Sequence, residues 1–372
     1  YIRLTFCITV PVLMLMALAA LVIVGMVVAA AGGSCRADDN VLMQMNQDRR
    51  GLLATTTATT PAACAIEPFP CDNPSFANFP MQVINHETPK KATFNVLDLN
   101  TGTYTEICEV SGEKLNGCGI NPKHDAIYCV TADGDRQFVR VQCNFTNWTI
   151  GDVPVAGQLC YFGKTDGNFA ATFDPFTGDY VYKRNGGEIE KLNYTAIVTY
   201  TGYATPPAGT SQVVETEILI NSELNGLADF DIAKFTAGSL FPGAGEDLYL
   251  VGCRANEVFV QSLTDENNFR KVTMTDYGTS PTGPSGASWL FRGDTTNPDV
   301  YCAYNNGIDG VLQVNVTEIF NDGTEDRIPT GFVSRSALTS SNDGLNCEKA
   351  NSPFGPPQTV TTTTSTTTTT TT

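Results

Sequence analysis

Three observations predict an all-β ectodomain of β-propeller type, with about five to seven four-stranded blades. Turn motifs recur along the chain, aromatic-bearing strands recur beside them, and the composition is rich in turn formers and poor in charge. Only 16% of residues are charged and 33 are Gly, a balance that suits a secreted all-β chain. A long hydrophobic α-helix is expected before this body and a Thr-rich tail after it. The expected organisation is a hydrophobic helix over 1–34, a stalk helix and Thr/Pro-rich linker over 35–72, the propeller-like domain over 73–350, and a Pro then poly-Thr tail over 351–372.

Residues 4–31 carry no charge. At roughly 1.5 Å rise per residue, such a helix exceeds the roughly 30 Å hydrocarbon core of a bilayer. A signal peptide is the plain alternative, but its apolar region is usually about 7–15 residues. Two homes fit a retained helix. One is a membrane anchor, with Arg3 on the inner side. The other is the core of a filament, where identical apolar helices pack together as in pilin-type proteins. Gly25 and Ala29 have the small-xxx-small spacing that permits close helix approach. Asp38 or Asp39 would cap the stalk helix that follows.

The body repeats itself. "DLNTGTY" at 98–104 recurs as "DPFTGDY" at 174–180. In each, Asp and Gly form a tight hairpin turn and Tyr opens the next strand. "LNGCGINP" at 115–122 recurs as "LNGLADFD" at 224–231. An aromatic strand follows each: "HDAIYCV" and "EDLYLVGC", with a third copy, "PDVYCAYN", after "GASWLFRG". The unit reads as four strands. Small residues at 117–119, 227–228 and 286–288 would let the first strand crowd an axis. Tyr128, Tyr249 or Tyr301 would pack the second strand between blades. The third strand is "QFVRVQC", "EVFVQSL" or "VLQVNVT", and the fourth "WTIGDV", "RKVTMTD" or "RIPTGFV". A β-sandwich pair or a β-solenoid would also repeat strands. Recurrence of a whole four-strand unit, with Tyr249 and Tyr301 about fifty residues apart, favours blades.

With the closing "SSNDGLNC" at 340–347, these motifs resemble an extracellular propeller-like domain family of unknown function. Its pattern is tandem N-G/A-x-G-x-N-P…D-x-x-Y strands alternating with D-x-x-T-G hairpins. The family's usual Ala after Asn is Gly here, at Gly117 and Gly226. The resemblance covers roughly residues 75–350. It implies propeller architecture and a setting in large cell-surface and filament-type glycoproteins. It brings no chemistry with it.

Twelve Cys without any C-x-x-C, and only two His, exclude the common zinc and thioredoxin-like patterns. They point to disulfides and an oxidising compartment. Cys7 lies in the apolar segment and Cys35 at its edge. The disulfide candidates are Cys64, Cys71, Cys108, Cys118, Cys129, Cys143, Cys160, Cys253, Cys302 and Cys347. Cys253 and Cys302 occupy equivalent strands, which suits a blade-to-blade bridge. Cys64 with Cys71 and Cys129 with Cys143 are candidate local pairs. Cys347 would tie the closing segment to the start of the ring through Cys108 or Cys118.

N-x-T sequons occur at Asn144, Asn147, Asn193 and Asn315, all at expected strand ends or turns. O-glycan candidates are Thr55, Thr56, Thr57, Thr59 and Thr60 in the linker. In the tail they are Thr361, Thr362, Thr363, Thr364, Ser365, Thr366, Thr367, Thr368, Thr369, Thr370, Thr371 and Thr372.

The net charge of −17, from 39 acidic against 22 basic residues, argues against nucleic acid as a partner. No catalytic signature is present: no G-x-S-x-G, H-E-x-x-H, P-loop, dinucleotide fingerprint or sialidase turn. His86 and His124 read as surface residues. The acidic turns 133–135 and 229–231 read as solvated, since neither completes a calcium loop. The expectation is therefore a non-catalytic structural or adhesive glycoprotein at the cell surface, with no cofactor or metal. It would assemble as a homo-oligomer or helical filament through its N-terminal helix, with a membrane anchor as the other use of that helix. The alternative is a membrane-anchored propeller receptor, or a carbohydrate-active binding protein with its site at the channel.

Overall fold

A computed structural model describes residues 64–355, apart from 147, 185–186, 200–201, 207–211, 237, 239–240, 242–244, 276–284, 305–309, 322–326 and 340–341. The expected N-terminal helix, the stalk and the linker to residue 63 lie outside the described residues. So do Cys7, Cys35 and the tail from residue 356.

Five four-stranded blades form a β-propeller. The first blade has β1 (Met81–Glu87), β2 (Lys90–Leu97) and β3 (Tyr104–Ser111). The second has β4 (Leu115–Ile120), β5 (Ile127–Thr131) and β6 (Gln137–Gln142). The short β7 (Val155–Ala156) pairs back in parallel onto β3 before β8 (Gln158–Lys164) completes the second blade. The third has β9 (Gly167–Phe173), β10 (Tyr180–Arg184), β11 (Ile189–Leu192) and β12 (Thr216–Ile218). The fourth has β13 (Asp231–Thr236), β14 (Glu246–Arg254), β15 (Glu257–Ser262) and β16 (Phe269–Thr275). The fifth has β17 (Ser285–Phe291), β18 (Asp299–Tyr304), β19 (Val311–Val314) and β20 (Arg327–Ser334). The last strand, β21 (Asn342–Leu345), returns to pair with β1 and becomes the innermost strand of the first blade. Both ends of the ring thus meet in one sheet. The inner strands touch in the order β21, β4, β9, β13, β17 and back to β21.

The second-strand tyrosines behave as the repeat implies. Tyr128, Tyr249 and Tyr301 lie on β5, β14 and β18 and are buried. They are placed opposite Gly119, Ala233 and Trp289 of the inner strands. In β4 the small residues allow close approach to β9: a side chain at Gly119 would press on the Phe173 ring.

Other parts of the repeat are not equivalent in space. The two D-x-x-T-G turns have the same build. Gly102 N–H donates to the Asp98 carbonyl at 2.7 Å, and Gly178 N–H to that of Asp174 at 2.8 Å. The Asp carboxylate takes the Thr hydroxyl at 2.8 Å in one and 2.7 Å in the other. Yet the first turn joins β2 to β3, third strand to fourth, and the second joins β9 to β10, first strand to second. The motif is a portable hairpin, not a blade marker. Likewise Leu224-Asn225-Gly226 ends a 3-10 turn (Ser222–Gly226) ahead of β13, whereas Leu115-Asn116-Gly117 lies within β4. Residues 227–228 are therefore not in an inner strand. Nor is "WTIGDV" a fourth strand. Trp148 turns inward onto Phe76 and Phe145, its indole N–H donates to the Val153 carbonyl at 2.9 Å, and β8 takes the outer position.

Five disulfides close the domain. Cys253 and Cys302 are joined, as their equivalent strands suggest. The two local pairs are corrected. Cys64 bonds to Cys160, Cys129 to Cys118 and Cys143 to Cys108. Cys129 follows Tyr128, whose ladder partner is Gly119, so its neighbour is across the sheet in β4 rather than along the chain. Cys347 ties the closing segment to the start of the ring through Cys71, not Cys108 or Cys118. Residues before 73 are accordingly part of the packing: Phe69 is buried against Phe76 and Phe145. After β21, Phe354 packs on Tyr301 with ring centroids 4.4 Å apart and the planes tilted.

Candidate functional site

The sequence motif "LNGLADFD" leaves its turn and runs into β13 along the axis, and "SSNDGLNC" enters the axis as β21. Each delivers carboxylates to the same buried place. Asp229, Asp231, Asp343 and Glu348 are only 2%, 6%, 0% and 6% exposed. This corrects the reading of 229–231 as a solvated turn. Turn-like composition alone does not reveal that the segment crosses the centre of a ring.

Backbone donors hold the first pair. Asp229 Oδ2 accepts from Ser288 N–H of β17 at 2.6 Å and Gly344 N–H of β21 at 3.2 Å. Its Oδ1 accepts from Phe230 N–H at 2.9 Å. Asp343 Oδ2 accepts from Cys118 N–H of β4. Asp229 and Asp343 are thus neighbours, since Asp229 Oδ2 binds the N–H of the residue that follows Asp343. A side chain at Gly344 would collide with the Ser288 carbonyl, so only Gly lets β21 come this close. The second pair flanks Thr172 of β9, whose hydroxyl lies 3.4 Å from both Asp231 Oδ1 and Glu348 Oε1. Asp231 Oδ2, Asp343 Oδ1, Glu348 Oε2 and the Ser288 hydroxyl have no partner among the described residues.

Burial dominates the electrostatics. It pushes Asp231 up to about 7. Asp229, Asp343 and Glu348 are held well above the usual carboxylate range by burial, to which the Asp231 charge adds at all three, while the Cys118 N–H opposes the shift at Asp343. Among the described residues, no basic side chain pairs with these carboxyls. The buried cations of the domain are engaged elsewhere. Lys183 Nζ donates to the carbonyls of Asn225 and Leu227, and Arg140 to that of Cys64. Among the described residues, no three His, Cys, Asp or Glu side chains are gathered so as to hold a metal ion.

Beside the axis, where β4 and β21 end, a polar pocket of about 540 Å³ opens to solvent. Asp72, Asp125, Lys123, Lys349 and Asn351 line it, the Cys71–Cys347 bond forms part of the wall, and Glu348 reaches it from the axial cluster. Lys349 Nζ donates to the Pro122 carbonyl at 2.6 Å. Burial raises the Asp125 carboxyl, the Asp72 charge adds to this, and Lys349 opposes it. Next to the pocket, His124 is half-buried rather than a surface residue. Its Nε2 lies 2.9 Å from the Tyr128 hydroxyl, and burial, with the Arg140 charge, lowers its pKa to about 4. It stays neutral at physiological pH. His86 is also half-buried, 3.1 Å from the Thr93 hydroxyl. Asp133 and Asp135, by contrast, are exposed as expected, paired with Lys90, Lys114 and Lys164.

Asn144, Asn193 and Asn315 are exposed and follow β6, β11 and β19. Each is placed where a glycan would meet solvent. Asn147 and all the Thr and Ser candidates named above lie outside the described residues. No described helix is long and apolar enough to cross a membrane.

No protein-family profile matches the chain, and no curated protein matches it in sequence. Among solved structures, it is similar to the crystal structure of the major Malassezia sympodialis allergen Mala s 1. The identity is 13%, the TM-score 0.29, and the match covers 63% of each chain. The chain thus spans less than two thirds of the length of that neighbour.

Proposed function

We infer that this chain is a non-catalytic extracellular glycoprotein of structural or adhesive type. Its propeller is a rigid head, and its N-terminal apolar segment, residues 4–31, assembles it into a surface filament or anchors it in a membrane. One observation carries the reading. The axis, where propellers often open a ligand channel, is filled by carboxylates that are at most 6% exposed, and a disulfide from Cys71 to Cys347 secures the strand that shuts it. Such an axis suits a load-bearing module better than a catalytic one, because of its four carboxyls only Glu348 lines the open pocket beside it, and Asp229, Asp231 and Asp343 do not. Five disulfides fit an oxidising, extracellular setting.

Electron microscopy of native material tests this. Ordered polymers or membrane-embedded particles bearing globular heads are expected. A soluble monomer with residues 4–31 removed would overturn the proposal, and the image distinguishes filament from anchor.

A further inference from the structure

The axial carboxylates pose a charge problem that the rest of the domain does not solve. Four of them are buried together, and no Lys, Arg or His pairs with any of them among the described residues. Asp229 binds the N–H of Gly344, the residue next to Asp343, so two buried carboxyls lie side by side; ionised, they repel and offer each other no hydrogen. Asp343 Oδ1 has no donor at all if both are ionised.

We propose that Asp229 and Asp343 share one proton, forming a carboxyl–carboxylate latch that fastens the closing strand to the ring. The latch joins four inner elements. Asp343 belongs to β21 and binds Cys118 N–H of β4. Asp229 leads into β13 and binds Ser288 N–H of β17 and Gly344 N–H of β21. With the proton in place, one carboxyl donates to the other and the pair carries a single negative charge, which those backbone N–H groups stabilise. When the proton leaves to water, two adjacent anions remain in a dry site, and the force between them drives β21 out. The Cys71–Cys347 bond keeps the released strand tethered, so reclosure is local.

The titratable groups facing the latch all favour keeping the proton. Asp231 at the head of β13 faces both members. Glu348 beyond β21 faces Asp231, and Asp174 after β9 faces Glu348. From β10, the Tyr180 hydroxyl donates to the Gly117 carbonyl and feels the Asp343 charge. The remaining polar neighbours, Thr172 on β9 and Ser288 on β17, are hydroxyls without charge.

The direction of the pH effect follows. Carboxyls whose folded-state pKa is raised contribute their full stabilisation below the unfolded value of about 4, and lose it as pH rises through the folded value. The ring is therefore tightest in acid and opens progressively toward alkaline pH. Each retained proton makes the unfolding equilibrium constant rise about tenfold per pH unit in that window.

The test is equilibrium unfolding of the full chain across pH, compared with Asp343→Asn, whose amide supplies a permanent donor to Asp229. The wild type should destabilise with rising pH, and the variant should lose about one proton's worth of that slope. Infrared spectroscopy of the wild type needs no variant: a protonated carboxylic acid band should persist at neutral pH and diminish in Asp343→Asn. Absence of that band at neutral pH would overturn the latch. So would destabilisation by EDTA that added calcium reverses, since a cation would then bridge the carboxylates in the proton's place.

Discussion

The first two blades and the third are held to their neighbours by different means. Four disulfides have one or both ends in the first two blades or in the segment leading into them: Cys64–Cys160, Cys71–Cys347, Cys108–Cys143 and Cys118–Cys129. The third blade, β9 to β12, contains no Cys. A run of rings joins it to the second blade instead. Tyr128 stacks on Phe138 at 5.4 Å, Phe138 meets Tyr180 at 4.8 Å, and Tyr180 meets Phe173 at 5.2 Å. The fourth and fifth blades combine the Cys253–Cys302 disulfide with a third device, a parallel pairing of β16 with β20 that merges them into one eight-stranded sheet. The difference teaches where covalent closure matters. Neighbouring blades meet through local chain, and even where a disulfide joins them, as Cys108–Cys143 and Cys253–Cys302 do, the loop it closes is short. The two ends of the ring must find each other across almost the whole domain, and there a bond that limits the unfolded chain has most effect.

The largest expected effect tests that point directly. Cys71 and Cys347 are 276 residues apart, whereas Cys118 and Cys129 are 11 apart. Chain entropy assigns about 6 kcal/mol to the long closure and about 3 kcal/mol to the short one. Denaturant unfolding of the Cys71→Ser/Cys347→Ser and Cys118→Ser/Cys129→Ser double variants should separate by about 3 kcal/mol. Equal losses would mean that the seam is held by its side-chain contacts. Those include Trp289 Nε1–H donating to the Met81 carbonyl at 2.8 Å and Asn346 Nδ2–H to that of Leu290 at 2.6 Å.

The next effect concerns the blade without a disulfide. Phe138 is buried between Tyr128, Phe162 and Tyr180. Phe138→Ala should cost about 3–4 kcal/mol, through lost burial and an unfilled cavity. Hydrogen exchange should show the loosening spread into β9 and β10 of the third blade. Loosening confined to β5 and β6 would break the comparison, because the rings would then serve the second blade alone.

How much of this was legible depended on whether the signal was local. Tyr128, Tyr249 and Tyr301 mark second strands because each sits in the same short pattern of alternating apolar residues, and that pattern is set by the strand itself. The Cys253–Cys302 pairing followed from the same equivalence. The D-x-x-T-G turn was legible as a turn but not as a position, since its hydrogen bonds are internal to seven residues and serve any hairpin. Asp229, Asp231 and Asp343 were read as solvent-facing or left unused. Asp in a Gly-rich stretch is normally exposed, and only ring closure brings residues 229 and 343 together. The partner of Cys347 was missed for the same reason. One signal was available: "SSNDGLNC" is a short strand with no hairpin partner of its own, as a closing strand must be.

The smallest effect separates two tyrosines on equivalent second strands. Both are fully buried. The Tyr180 hydroxyl donates to the Gly117 carbonyl, linking the third blade to the inner strand of the second. The Tyr249 hydroxyl has no partner among the described residues, and its ring is held by Phe320 at 4.7 Å and Phe241 at 5.9 Å. Tyr180→Phe leaves a buried carbonyl without its donor and should cost about 1–2 kcal/mol. Tyr249→Phe removes a buried hydroxyl that bonds to nothing, so stability should stay level or rise by a few tenths of a kcal/mol, on the order expected for relieving an unpaired polar group. Thermal or denaturant midpoints of the two variants decide the matter. If both fall alike, the fourth blade also depends on its tyrosine hydroxyl, and the division between polar and purely apolar blade contacts fails. If only Tyr180→Phe falls, the blade that lacks a disulfide is the one that ties itself to its neighbour by a buried hydrogen bond as well as by stacked rings.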